Sequence, residues 1–428
     1  MTSSAIGQSD LPARLLADLL ADPLVGAIFC AARECGGEAR IVGGAVRDIY
    51  LNAEKGKKTV EGDAADTPDR LARTAPDIDM AVSVPIEVFA AGARHSGLAV
   101  YDTGLAHGTV TVRAENRQIE VTQLRIDHDQ DGRHARIEAT GSWEQDAQRR
   151  DFTMNALYLD EQGVLYDPVG GLADITARQL RFIGKADNRL AEDYLRLLRG
   201  LRFCAQYPEL WMEDKDRAAM GAAIAGLAGL SAERIASELR KLCARAGAEA
   251  MILEMQALSI DRALFNQPFI RTSVEWEILR DIWPYLDFVA RLGMMFSKGQ
   301  CVAVATRLKC SRQDIKQARR IDAGRPEALQ KMLGTPAWQQ AVYHLSPEAV
   351  FAYGEAALAG LLAPDQSRLR HIASFQLPRC PVKGGDIKRA FGLDGPDISH
   401  KLTAIEAEWV ASNFTLTAKE LLGVGKDK

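Results

Sequence analysis

Two aspartates, Asp77 and Asp79, are separated by one residue in a segment where apolar and polar residues alternate. Side chains at positions i and i+2 of a β-strand point the same way, so both carboxylates would project from one face. Like charges this close repel unless a cation lies between them, and hard oxygen ligands suit Mg²⁺, which also binds substrate phosphates. Glu120, in another alternating segment, is a candidate third carboxylate if its strand is a neighbour. The alternative is a solvated strand end.

A pair of glycines, Gly43 and Gly44, separates a predicted strand from a predicted helix. Glycine lets the backbone approach a ligand closely, and the N-terminus of the helix presents free N–H groups to an anion. Arg47 would add a positive charge for phosphate. Since a Gly-Gly turn is more often simply a turn, this motif alone does not establish phosphate binding.

Arginines recur beside aspartates in two later segments. Arg150 and Asp151 belong to the run Arg-Arg-Asp-Phe-Thr, and an arginine held by an aspartate is oriented for bidentate contacts. On these residues alone, a surface ion-pair cluster is the favoured interpretation. A second set is predicted to lie along one helix surface, which as a bare charge run would be a solvated face: Asp193, Arg196, Arg199 and Arg202.

The elements that would position these residues change character near residue 190. Before it, helical periodicity at 11–22, 24–35, 45–52 and 86–95 alternates with strand periodicity at 39–42, 77–84, 109–114 and 118–124. After it, the periodicity is almost entirely helical. The polar segment 53–76 predicts a long exposed insertion. The pattern favours an α+β fold, a mixed sheet with helices followed by an all-α remainder.

Composition excludes several classes of protein. The 428 residues carry a formal net charge of −4, which excludes nucleic-acid binding through bulk positive charge but not through a local basic face. The seven cysteines form no CxxC pair, so a disulfide framework or zinc ribbon is disfavoured and a reducing compartment is favoured. There is no signal-peptide pattern, and the longest apolar run, 218–230, is shorter than the ~18 residues of a membrane span. These features predict a cytoplasmic protein without a membrane partner.

Residues 302–320 are strongly basic, with Asp314 as the one acidic residue. A helix here would either contact the phosphates along an RNA backbone or present a solvated face. The sequence favours the two interpretations equally. Lys383, followed by two glycines, is a further candidate contact to phosphate.

Taken in order, the motifs resemble those of class II tRNA nucleotidyltransferases and bacterial poly(A) polymerases, most closely the CCA-adding enzymes. These enzymes build the CCA end of tRNA without a nucleic-acid template. The matching segments are 43–48 (GGAVRD), 77–79 (DID), 149–156 (RRDFTMNA), 167–174 (DPVGGLAD) and 192–199 (EDYLRLLR). The segment 230–235 is similar to the family's neck, and 381–387, more weakly, to its tail.

The resemblance implies a polymerase-β-like nucleotidyltransferase head at 1–180, a helical neck at 181–270, a helical body at 271–375 and a helical tail at 376–428. It implies that Asp77 and Asp79 are catalytic ligands of a two-Mg²⁺ site. There one ion would activate the tRNA 3′-hydroxyl and the other would steady the pyrophosphate. Gly44 and Arg47 match positions that hold the incoming triphosphate. The insertion at 53–76 departs from the family, in which this connection is short.

Nucleotide selection follows from the same resemblance. Arg150 and Asp151 match positions near the sugar, and Asp193, Arg196, Arg199 and Arg202 match neck positions that contact the nucleotide. Cytosine and adenine both present an amino donor beside a ring-nitrogen acceptor, whereas uracil and guanine present the reverse. Asp193 would accept from the amino group and Arg196 would donate to the ring nitrogen, so that a mismatched base leaves buried groups unpaired.

The expected activity is therefore template-independent addition of CCA to the 3′ end of tRNA from CTP and ATP, with release of pyrophosphate. Arg312, Lys316 and Lys383 are the candidate RNA contacts, and no obligatory protein partner is implied. The alternatives are a poly(A) polymerase, an enzyme that adds only CC or only A, and a non-catalytic tRNA-binding protein. The intact carboxylates at 77 and 79 argue against the last.

Overall fold

In a computed structural model of the chain, the described residues are 11–56, 78–115, 117–128 and 136–423. The chain forms two compact units, Met1–Asn266 and Gln267–Lys428. The finer division into head, neck, body and tail stays a prediction.

The described strands all lie in the first unit and are β1 (Ala39–Val42), β2 (Asp79–Val82), β3 (Ala99–Gly104), β4 (Thr109–Ala114), β5 (Arg117–Gln123), β6 (Arg125–His128), β7 (Arg136–Ala139), β8 (Tyr158–Leu159) and β9 (Leu165–Tyr166). They form a seven-stranded mixed sheet with the order β3-β4-β5-β2-β1-β8-β9 and a two-stranded sheet, β6-β7. Among these neighbouring pairs, only β2–β5 is parallel.

Helices surround and follow this sheet. In the first unit they are α1 (Leu11–Leu20), α2 (Pro23–Glu34), α3 (Gly44–Gly56), α4 (Ile86–His95), α5 (Trp143–Gln148), α6 (Gly171–Thr176), α7 (Ala186–Glu192), α8 (Leu195–Gln206), α9 (Asp214–Ala222), α10 (Ala232–Cys243), α11 (Ala248–Ala257) and α12 (Ile260–Phe265). Short 3₁₀ helices lie at Leu105–His107, Thr153–Asn155 and Ala223–Gly229. The predicted α+β class, with a mixed sheet before a helical remainder, is confirmed.

Local sequence explains where these elements begin. Asp22 starts α2 because its side chain accepts hydrogen bonds from the N–H groups of Leu24 and Val25, while Pro23 takes the first helical position. In β5 the buried Ile119 and Val121 alternate with exposed positions, as a sheet with one covered face requires.

The helix after the glycine pair is longer than the predicted 45–52, since α3 extends to Gly56. The first residues of the predicted insertion at 53–76 are therefore helical. The rest of that segment lies outside the described residues.

The second unit is helical wherever the structure describes it. Its helices are α13 (Ser273–Leu279), α14 (Phe288–Met295), α15 (Cys301–Arg307), α16 (Arg312–Asp322), α17 (Glu327–Met332), α18 (Trp338–Leu345), α19 (Ala349–Leu358), α20 (Gln366–Ser374), α21 (Gly384–Phe391), α22 (Pro396–Ala411) and α23 (Ala418–Leu421), with a 3₁₀ turn at Trp283–Tyr285. The expected single helix over 302–320 is wrong. The chain turns between α15 and α16, where Lys309 has a left-handed φ of 51°.

None of the helices in the described ranges is by itself long and apolar enough to cross a membrane. The segment Ala13–Leu20 together with Pro23–Glu34 passes the length and composition criteria only as a pair bent by 68°.

Candidate active site

A cleft of about 700 Å³ in the first unit brings several predicted residues together. The N-terminal turn of α3 contributes Gly44 and Arg47, and β2 contributes Asp79. Arg202 reaches the cleft from α8. Residues predicted from three separate motifs thus share one cavity.

The carboxylates of this site lie on neighbouring strands. Asp79 and Glu120 are direct partners in the parallel β2–β5 pair, and both side chains are exposed. Aligned residues of adjacent strands face the same side of a sheet, so the neighbour relation that Glu120 required is present. Asp77 lies outside the described residues. Within the ranges that the structure describes, there is no group of three or more His, Cys, Asp or Glu residues able to hold a metal ion.

The glycine pair forms the turn into α3. Gly43 has φ 72°, a left-handed conformation that glycine adopts without a steric penalty, and Gly44 then begins the helix. The N–H of Arg47 donates to the carbonyl of Gly43 at 2.9 Å, which closes the first helical turn. The N-terminus of α3 therefore opens into the cleft.

The Arg47 side chain is buried and held from within the protein. Its guanidinium donates to Asp48 at 2.7 Å and to Asn155 at 2.5 Å, and it lies 4.7 Å from the centre of the Phe203 ring. Burial lowers the pKa of Arg47, but Asp48 and Tyr207 more than offset this, so the pKa is raised. Arg47 thus stays a cation at the cleft wall.

The Arg-Arg-Asp segment is not the surface ion-pair cluster favoured from its residues alone. Asp146 is 1% exposed and takes hydrogen bonds from Arg149, Arg150 and the hydroxyl of Tyr158. Isolated buried carboxylates are costly, which is why this one has so many donors. The cluster is buried structure that orients its arginines.

Asp151 is also buried, and donors surround its carboxylate. The Nε of Arg199 donates at 2.6 Å, while the Phe152 N–H and the Asn155 amide each donate at 2.8 Å. Burial alone would raise the pKa of Asp151, but Arg199 and these hydrogen bonds hold it well below its usual range. Asp151 therefore joins the Arg-Arg-Asp segment to α8.

The predicted single helix surface of Asp193, Arg196, Arg199 and Arg202 is interrupted. Helix α7 ends at Glu192, and Asp193 is extended, with φ −155° and ψ 102°, before α8 begins at Leu195. One carboxylate oxygen of Asp193 accepts from the Leu195 N–H at 3.1 Å, and the other accepts from Arg234 at 2.6 Å. Asp193 is fixed at a break between helices and lies outside α8.

The arginines of α8 each have a defined partner. Arg196 donates to Glu192 at 2.6 Å and to the carbonyl oxygens of Arg189 and Arg149 at 3.0 Å. The Nε of Arg202 donates to Glu238 at 2.7 Å. The leucines predicted as the packed side are buried.

Two of these partners, Arg234 and Glu238, were missed as individual residues, although Arg234 lies in the neck-like segment 230–235. They stand four residues apart on α10 and so occupy one helix face. That spacing of an arginine and a glutamate, in a sequence that also carries the charged run 193–202, is the signal that could have found them.

The candidate RNA contacts lie in the second unit. Arg312 and Lys316 are exposed and four residues apart on α16, and Lys383 is exposed immediately before α21. Arg320, on the same helix, instead pairs with the buried Glu348 at 2.5 Å. Part of the basic segment is thus engaged inside the unit, and part faces outward.

Comparison with known proteins adds to this geometry. Residues 39–181 match the family model described as the poly A polymerase head domain. The chain is 29% identical over 420 residues to "CCA tRNA nucleotidyltransferase 1, mitochondrial" of Danio rerio, covering 90% of this chain and 86% of that protein. It is 38% identical over 210 residues to a CCA-adding enzyme of Listeria monocytogenes, covering 48% of this chain and 47% of that protein.

Solved structures share the fold. The Bacillus stearothermophilus CCA-adding enzyme in complex with CTP matches with a TM-score of 0.66 at 24% identity, over 93% of each chain. The likeness therefore extends over both units of the chain, beyond the segment matched by the head-domain model.

Proposed function

We propose that the chain is a member of the family of class II tRNA nucleotidyltransferases and bacterial poly(A) polymerases, and that it adds C, C and A to the 3′ end of tRNA. The substrates are CTP and ATP, the product besides tRNA is pyrophosphate, and no nucleic-acid template is used. The observation that carries this proposal is the similarity to CCA nucleotidyltransferases along nearly the whole chain. The convergence of Gly44, Asp79 and Arg202 on one cleft supports it.

Mg²⁺ is the metal that the donor set fits. Asp79 and Glu120 offer carboxylate oxygens from paired positions of adjacent strands, and the motif adds Asp77. When bound, Mg²⁺ supplies positive charge that activates the attacking hydroxyl and stabilises the leaving pyrophosphate. Gly44 and Arg47 hold the triphosphate through the free N–H groups of the helix N-terminus and a buried cation.

Asp193 and Arg196 select the base. The hydrogen bonds of Arg196 to Glu192 and to the two carbonyl oxygens use three of the five N–H donors of its guanidinium, which leaves donors for a ring nitrogen. Each oxygen of the Asp193 carboxylate has one donor and keeps a lone pair for an exocyclic amino group. The nucleotide site is completed by Arg150, Asp151, Arg199 and Arg202.

The RNA is held by the second unit in this proposal. Arg312, Lys316 and Lys383 are exposed cations that can contact phosphates without reading sequence. The cytoplasmic location stays a prediction, and the name of the zebrafish relative gives a mitochondrial location for that protein.

The function is tested with tRNAs that end before, within and after the CCA sequence. Each is incubated with the purified protein and one nucleotide at a time. CTP should extend the first by two residues, ATP should extend only the tRNA ending in CC, and the complete tRNA should stay unchanged. A long A tract would instead identify a poly(A) polymerase, and extension by CTP alone or ATP alone would identify a partial enzyme.

A further inference from the structure

Two cations in the cleft have no role in the chemistry described so far. Lys241 lies in the last turn of α10, and Arg245 lies four residues on, where the chain still turns and the Arg245 N–H donates to Leu242 at 3.0 Å. Both line the same cleft as Gly44 and Asp79. These two residues, Lys241 and Arg245, form a surface that we call the basic wall.

The other cations that line this cleft have close carboxylate partners. These pairs are the Nη2 atom of Arg47 with Asp48 at 2.5 Å, Arg117 with Asp22 at 2.6 Å and Arg202 with Glu238 at 2.7 Å. In each pair the arginine stays charged, and the carboxylate beside it offsets part of that charge.

The basic wall differs from these pairs. The Lys241 ammonium lies 4.0 Å from the Glu238 carboxylate, which already accepts from Arg202. The Lys241 side chain is 54% exposed. The Nε of Arg245 is buried and, in the part of the chain that the structure describes, has no hydrogen-bond partner. A buried donor without an acceptor costs free energy, which a bound anion would recover.

Phosphate is the ligand that fits this arrangement. A guanidinium and an ammonium group both donate to phosphate oxygens, and the charge-assisted hydrogen bonds are strong. The carboxylate of Asp79 lines the same cleft, so a phosphate at the basic wall would have cations of the protein beside it and the proposed metal ligand within the same cavity.

We propose that Lys241 and Arg245 form a phosphate-binding subsite for the substrates of this cleft. The inference rests on the proposed function, which supplies two phosphate-bearing substrates. A nucleoside triphosphate and an RNA backbone present the same chemical group, and the following experiment separates them.

The test compares the full-length protein with Lys241→Gln, Arg245→Gln and the double variant. Two variants are controls. Arg245→Lys keeps the positive charge, and Arg240→Gln removes a cation that neighbours Lys241 on α10 but does not line the cleft. Equilibrium binding of CTP and of tRNA lacking CCA is measured, together with kcat and KM for each. The double variant should bind one of the two ligands at least about tenfold more weakly, with kcat little changed.

The ligand that is lost identifies the source of the phosphate. Weaker CTP binding assigns the triphosphate, and weaker tRNA binding, greatest at low salt, assigns the RNA backbone. Arg245→Lys should recover most of the affinity, and Arg240→Gln should behave as the wild type. Thermal unfolding verifies that each variant is folded, and Lys241→Gln, at an exposed position, provides the test if Arg245→Gln is unstable.

The proposal that the basic wall binds phosphate would be overturned if the folded double variant bound both CTP and tRNA as tightly as the wild type, with unchanged KM values. A wild-type protein that binds both ligands but adds no nucleotide would refute the proposed function. The comparison of ligand binding between the wild type and the double variant would still test whether the basic wall binds phosphate.

Discussion

Single side chains in the candidate site are fixed by partners that are distant in sequence. Asp151 and Arg199 are 48 residues apart, and Asp193 and Arg234 are 41 apart. Residue types and motif order allow the sequence to predict which of these residues matter. They do not predict which ones pair, because the pairing is set by how the Arg-Arg-Asp segment packs on α8 and how α10 packs beside the α7–α8 break.

Asp151 gives a prediction about pH. Replacing it with asparagine should lower the free energy of unfolding by about 3 kcal/mol at pH 7. This value is near the low end of the cost of removing one partner from a buried ion pair, because Arg199 keeps partial access to water. The folded pKa of Asp151 is depressed, so its stabilisation is complete above the unfolded pKa of about 3.9 and is lost as the pH falls towards the folded value.

Urea unfolding of the wild type and Asp151→Asn at several pH values measures this effect. The difference between them should be constant from pH 7 to 5 and shrink below about pH 4. Asp102→Asn, at an exposed pair with Arg94, is the control and should change stability by less than about 1 kcal/mol. A difference that grows on acidification would contradict the assignment.

Asp79 should be essential for chemistry and dispensable for tRNA binding. Asp79→Asn preserves shape but removes the charge that a divalent cation requires, so incorporation of both CTP and ATP should fall by at least about 10³-fold. Filter binding should give a tRNA affinity near that of the wild type. Turnover close to wild type in Asp79→Asn would refute its role as a metal ligand.

Asp193 should govern base choice. Asp193→Ala removes the acceptor for the amino groups of cytosine and adenine, so addition should slow and the preference for CTP over UTP should narrow by about tenfold or more. Single-turnover rates with each of the four nucleotides measure this. Slower addition with undiminished discrimination would assign Asp193 a structural role only.

At the scale of elements, periodicity predicted where strands and helices run but not where helices break. Strands 39–42 and 109–114 and helix 86–95 have the predicted bounds. The break between α15 and α16 was missed because no Gly or Pro marks it. Its signal is the capping box of Ser311 and Asp314, in which each side chain accepts from the backbone N–H of the other residue.

Tyr194, in the break between α7 and α8, makes a close contact outside both helices. The ring of Tyr194 lies against Gly226, where a Cβ would come within 2.2 Å of the ring. Gly226→Ala should therefore displace Tyr194 and with it Asp193, and lower kcat/KM for CTP more than it lowers tRNA affinity.

Gly229→Ala is the matched control, since a Cβ at Gly229 meets nothing within 4 Å. Nucleotide kinetics of the two variants, with thermal unfolding to confirm that each is folded, measure the effect. Equal kinetics for the two variants would show that the Tyr194 contact does not position the base-selecting residues.

For the whole molecule, net charge is a poor guide to ligands. The chain is acidic overall at −4, yet paired arginines concentrate around the cleft of the first unit and exposed cations lie on α16 of the second. The sequence could predict both local surfaces. It could not predict which cations are already neutralised inside the fold, as Arg320 is by Glu348.

The exposed cations of α16 should contribute salt-dependent affinity for tRNA. Replacing Arg312 and Lys316 together with glutamine should weaken tRNA binding and reduce the slope of log K against log salt by about 1.5, as expected for two lost phosphate contacts. Lys331→Gln, at an exposed pair with Glu327, should leave the slope unchanged. A wild-type slope in the double variant would show that α16 presents only a solvated face.

In the proposed function this protein itself chooses the nucleotides, in order, and then stops. The most direct measurement supplies all four nucleotides together to a tRNA lacking CCA and determines the 3′-end sequences of the products. Nearly every product should end in CCA with no further residue. Products with mixed bases, or with long A tracts, would contradict it.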